Sequence, residues 1–153
     1  MDRLDINKTG GVKVYLGDLQ FIYETFKAPL EAFVKTFAND VVELIRLDEC
    51  AMTHIGDVYT IEAGWVVFRG EIVYFQGGTV EVPHLAPLYF YIQETADQEE
   101  SRYLNDTGEL VDVIYHRRGV ITGEAPAGDF CRWDSRNIPP KLYEVISQNL
   151  NNL

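Results

Sequence analysis

Residues 64–78 read GWVVFRGEIVYFQGG, and this stretch decides the fold. A two-residue loop at Arg69-Gly70 places Phe68 opposite Glu71, Val67 opposite Ile72, Val66 opposite Val73 and Trp65 opposite Tyr74. The aromatic pair and one β-branched pair then share a face, and the other face carries an aliphatic pair. Both faces are apolar. Such a ribbon needs cover on two sides, from the rest of the domain or from another subunit. It contains no reactive group.

Working outward, residues 1–17 are polar and glycine-containing, and read as an extended arm with one short strand. Asp18 reads as a helix N-cap. After it, Leu19, Ile22, Phe26, Leu30, Phe33, Val34 and Phe37 recur at steps of three and four, the spacing of one helix face. Pro29 predicts a kink or break in that helix, which ends near Asn39-Asp40. Beyond it the period changes to two. Strands are predicted over 42–52 and 58–62, at the central hairpin, and over 79–82, with Gly77-Gly78 as a turn between the last two. Further strands are expected at 88–95 and 110–116, the latter resuming at 120–122 after a break at Arg117-Arg118-Gly119. Leu142, Val145, Ile146 and Leu150 suit a short closing helix. The fold class is mainly β (α+β): an N-terminal amphipathic helix followed by a compact antiparallel β sandwich or barrel-like domain. The expected division is an arm and helix over 1–40 and a β domain with a short C-terminal helix over 41–153.

Composition narrows the function. The 153 residues are 46% hydrophobic and 12% aromatic, enough for a true core. The net charge of −11, from 24 acids against 13 bases, disfavours contact with a phosphate backbone. Seven acids and one base, Arg102, lie between Glu94 and Asp112. They lack the ligand order of a calcium loop, so a solvated connection is the expectation. No segment approaches the ~20 apolar residues of a membrane span. The first residues show no signal-peptide pattern, so synthesis in the cytoplasm with no export route is the expectation. Cys50 and Cys131 form no C-x-x-C and read as buried free thiols.

Chemistry is sparse. His54, His84 and His116 have no metal-ligand spacing. Ser101, Ser135 and Ser147 lack a G-x-S-x-G setting, and no phosphate loop or dinucleotide fingerprint occurs. His116, Arg117 and Arg118 form the one dense basic cluster and are expected to make ion pairs. Glu62, Glu71 and Glu81 near strand ends, beside Trp65, Tyr74 and Phe75, allow a sugar-binding or sugar-cleaving face to be imagined, but abundant acids are weak support for catalysis. Tyr89-Phe90-Tyr91 must point to both faces of its strand. At least one ring is therefore expected outside the monomer core, which favours oligomerisation. The expectation is a protein that is not an enzyme, with no cofactor, no metal and no nucleic-acid partner.

Two motifs carry a family resemblance. The arm R-x-D-I-N-x-T-G-G is met by Arg3, Asp5, Ile6, Asn7, Thr9, Gly10 and Gly11. The central G-W-V-x-x-x-G-E-x-x-x-F-x-G-G is met by Gly64, Trp65, Val66, Gly70, Glu71, Phe75, Gly77 and Gly78. Over residues 1–80 the chain resembles small tail-fibre or baseplate-associated structural proteins of tailed phages and prophages. A D-x-G-E turn at Asp106 to Glu109 fits more weakly, and from Gly123 onward nothing matches. The resemblance implies a structural tail component, made in the bacterial cytoplasm and carried in the virion, that self-assembles as a homo-oligomer, with a trimer implied, and binds other tail proteins. It supplies no catalytic residues. The interface residues expected are Leu19, Ile22, Phe26, Leu30, Phe33, Trp65, Tyr74, Tyr89 and Tyr91. The alternative is a carbohydrate-binding adhesin module that recognises a cell-surface glycan through exposed aromatics.

Overall fold

A computed structural model describes residues 16–37, 42–96, 102–104, 107–108, 110–112 and 115–152. The predicted N-terminal arm and most of the acidic connection lie outside this set. The described elements are helix α1 (Leu16–Phe37), strands β1 (Leu44–Arg46), β2 (Met52–Ile55), β3 (Val58–Ile61), β4 (Gly64–Phe68), β5 (Glu71–Phe75), β6 (Gly78–Glu81), β7 (Tyr89–Ala96), β8 (Arg102–Leu104), β9 (Leu110–Asp112), β10 (Tyr115–Thr122) and β11 (Phe130–Arg132), and helix α2 (Leu142–Asn151). The protein is mainly β, with an N-terminal helix, a nearly closed, barrel-like six-stranded sheet and a three-stranded sheet.

The central hairpin takes the register its sequence predicts. Phe68 opposes Glu71, and Trp65 opposes Tyr74. Arg69 and Gly70 make its turn at φ 49° and 83°, the left-handed pair that a two-residue hairpin loop requires. Gly77-Gly78 is no second turn. The ribbon runs on through it in unchanged register, with Gly64 opposite Phe75 and Ile61 opposite Gly78. Gly77, at φ 70°, bends the ribbon out of the six-stranded sheet and into the three-stranded one.

The preceding strand follows the same bend by a different device. The stretch expected as one strand over 42–52 is split into β1 and β2. The N–H groups of Leu47 and Asp48 both donate to the Trp65 carbonyl, at 3.0 and 3.3 Å. Two residues facing one is a β-bulge, and it adds bend and twist where the sheets part.

The six-stranded sheet has the order β1-β4-β5-β10-β7-β11, and all its neighbours are antiparallel except β5 and β10. No break occurs at Arg117 to Gly119; β10 pairs with β7 continuously from Tyr115 opposite Ala96 to Thr122 opposite Tyr89. After β11 the chain returns to the far edge. Arg46 of β1 bridges to Lys141, its N–H donates to the Pro140 carbonyl at 2.9 Å, and its Nε donates to the Pro139 carbonyl at 2.7 Å. This strap covers an edge that would otherwise be open for pairing.

Two cores result. Inside the barrel, Val66, Phe68, Val73, Phe75, Phe90, Ile121 and Trp133 meet Tyr59, Ile61 and Val82 from the second sheet side. Outside it, Val34 of α1 and Val145 of α2 pack on Ile45 and Val67. The hairpin is therefore apolar on both faces because each face belongs to a different core. Helix α1 is continuous through Pro29 and begins at Leu16, so Asp18 lies inside it, and Leu16-Gly17 are helical where the arm was expected to be extended.

Candidate functional site

Helix α1 touches its own domain mainly at its C-terminal end. Val34 is buried, whereas Phe26, Leu30 and Phe33 are 65%, 57% and 58% exposed, and Phe21 and Tyr23 are exposed as well. Ile22 is half-buried, and the side chain of Leu19 lies outside the described set. Val34 therefore joins the outer core while the N-terminal part of the helix stands off the sheet. Beneath it runs a cavity of about 570 Å³.

The floor of this groove comes from β4, β5 and β10. Alternation along β5 sends Val73 and Phe75 into the barrel and Ile72 and Tyr74 outward. Trp65, opposite Tyr74, is 50% exposed and meets that ring edge-on, centroids 5.3 Å apart. The Arg118 guanidinium lies over Tyr74 at 5.4 Å, and on the helix wall Lys27 Nζ lies over Tyr23 at 5.0 Å. The bond with Tyr23 raises the Lys27 pKa, burial opposes this, and Glu31 adds a lesser rise.

Arg117 is the fixed point of the wall. Its Nε and Nη2 bond both Glu71 oxygens at 2.9 and 3.0 Å, and Nη1 bonds Glu94 at 2.8 Å. These bonds push its pKa up, so it stays charged at any ordinary pH. The pairing ties β5, β10 and β7 together. Glu31 is the odd member: its Oε1 is buried without a hydrogen bond among the described residues, and Lys27 Nζ stands 3.9 Å away.

Of the residues expected at an interface, Phe26, Leu30, Trp65 and Tyr74 converge on this groove. Tyr89 and Tyr91 do not. They are half-buried on β7, where Phe90 between them points into the core and Tyr89 meets Phe130 edge-on at 5.3 Å. Glu62 and Glu81 are exposed and stand outside the groove lining. Lys27 and Glu31 had no signal in the sequence as site residues; they read as the charged flank of an amphipathic helix.

Elsewhere the reactive groups are quiet. Cys50 and Cys131 are buried free thiols, and burial pushes them up to about 11 and about 12, leaving almost no thiolate near neutral pH. His54 stacks on Tyr59 at 5.2 Å, with His84 a further neighbour at 6.2 Å. Among the described residues no three His, Cys, Asp or Glu side chains come together to hold a metal ion. Asp134 is buried, which opposes its ionisation, but bonds from the Arg136 N–H, Asn137 and Arg132 outweigh this and lower its pKa. It organises the turn after β11. Among the described residues no helix is long and apolar enough to cross a membrane. No protein-family model, curated protein or solved structure matches the chain.

Proposed function

We propose that this chain is a non-enzymatic structural component of a phage or prophage tail, tail-fibre or baseplate associated, that self-assembles through α1 and binds other tail proteins. The observation that supports this most is the helix itself. Three large apolar side chains of one face, Phe26, Leu30 and Phe33, are more than half exposed on a chain of net charge −11. Isolated soluble chains rarely leave so much contiguous apolar surface in water.

The neighbouring flank fits the same reading. Ala28, Ala32, Thr25 and Thr36 carry no charge, and both threonine hydroxyls are satisfied by carbonyls one turn back, Thr25 to Phe21 at 2.8 Å and Thr36 to Ala32 at 3.0 Å. A flank with no charge and no hungry hydroxyl tolerates burial against a second copy, where identical charges at one height would repel. A homo-oligomer follows, with a trimer implied by the family resemblance. The chain would be made in the bacterial cytoplasm and carried in the virion.

The direct test is mass spectrometry of tailed particles purified from an induced host carrying this gene. Peptides from the chain are expected at structural-protein abundance, and they should disappear from particles of a deletion strain. Their absence from intact particles would end the tail assignment. The carbohydrate-binding alternative keeps one specific support, the half-exposed Trp65 beside Tyr74.

A further inference from the structure

We infer that the groove between α1 and the β4-β5-β10 surface is a binding site for a neutral oligosaccharide, with Trp65 as its stacking platform and Glu31 as its hydroxyl acceptor. The inference rests on the carbohydrate-binding alternative and requires that self-assembly leave the groove open, since Phe26 and Leu30 line it as well.

The size is right for a small ligand, since about 570 Å³ falls within the usual range of ligand clefts. Its chemistry is mixed in a particular way. Trp65 is half-exposed beside Tyr74, and an indole π-face suits the C–H face of a sugar ring. Around it stand both signs of charge: Lys27, Arg117 and Arg118 against Glu31 and Glu71. Opposite charges that nearly balance give no reason to prefer an anion or a cation. They serve a ligand whose every hydroxyl both donates and accepts.

Glu31 supplies the independent observation. Its Oε1 is buried with no hydrogen bond among the described residues, and Lys27 Nζ stands 3.9 Å away, so its accepting capacity is unused. A turn of its side chain into the groove lets a sugar hydroxyl donate to Oε1. An apolar occupant offers it no donor. Arg117 is locked by Glu71 and Glu94, so the wall is already rigid before a ligand arrives.

The test is titration of the full chain with chitotriose, cellotriose, maltotriose and mannotriose, each to about 10 mM. Tryptophan emission and the two indole N–H resonances are the readout. Trp133 is fully buried, so the response should come from the Trp65 resonance. At least one trisaccharide is expected to shift it, with binding weakened about tenfold or more in both Trp65→Ala and Glu31→Gln. Circular dichroism checks that each variant is folded, and sedimentation mass checks that assembly is unchanged. Binding that survives both variants would place sugar recognition elsewhere and overturn the groove, leaving the adhesin alternative standing. No shift with any of the four sugars would overturn both.

Discussion

Trp133→Ala is expected to destabilise the protein by ~3–5 kcal/mol, since Trp133 is the largest fully buried side chain among the described residues. Trp133 is wholly buried, with its ring centroid 4.9 Å from Phe75 and 6.0 Å from Phe90. It sits just after β11, and its N–H donates to the Leu88 carbonyl at 3.0 Å, so its ring plugs the barrel where the chain turns back toward β1. Truncation leaves a cavity bounded by two strands that are already fixed by pairing, and such a site cannot collapse to fill it. Its indole Nε1 has no hydrogen bond among the described residues, so the ring's worth there is packing, not polarity. Trp133→Phe should therefore recover more than half of the loss. Urea unfolding followed by circular dichroism measures both variants. Equal losses for alanine and phenylalanine would show that volume is not what the site requires.

The second large effect is at the bend. Gly77→Val is expected to cost at least ~2 kcal/mol, because a β-branched residue at φ 70° is strained by roughly 1–2 kcal/mol before any contact is counted. A Cβ there would also lie 2.8 Å from the Ala63 nitrogen and 2.9 Å from the Ile61 oxygen, both backbone atoms that cannot swing aside. The ribbon must then open at the junction of the two sheets. Gly56, also at positive φ but with nothing near its Cβ position, is the control, and Gly56→Ala should cost far less. If Gly77→Val and Gly56→Ala destabilised equally, the close backbone approach at the bend would not be what selects glycine at Gly77.

The contrast between these positions and the opening hairpin marks what a sequence makes legible. The pairing of Trp65 with Tyr74 could be read directly, because the Arg69-Gly70 turn and the alternation of side chains are local constraints that agree. The bend at Gly77 could not, since Gly-Gly signals a reversal as readily as a close approach. The Leu47-Asp48 bulge leaves no composition mark at all; it exists to keep β1 and β2 in step with a partner that bends. Arg117-Arg118-Gly119 looked like a break, yet pairing on both sides, to β5 and β7, holds β10 straight through it. At the groove, the aromatic pair and the ion-pairing cluster at Arg117 were visible, and the charged flank of α1 was not. Lys27 and Glu31 line the same groove as Trp65 and Arg118 because Val34 docks α1 on the outer core, a tertiary event that helical periodicity does not encode.

That docking leaves Phe26, Leu30 and Phe33 more than half exposed, and self-assembly is the claim that stands or falls on them. Sedimentation-equilibrium mass at micromolar concentration, for the native chain and for the Phe26→Asp/Phe33→Asp double variant, tests it most directly. A homogeneous oligomer for the native chain and a folded monomer for the variant is the predicted pair of results. A native chain that sediments at its own 17.5 kDa, with α1 still helical, would contradict it.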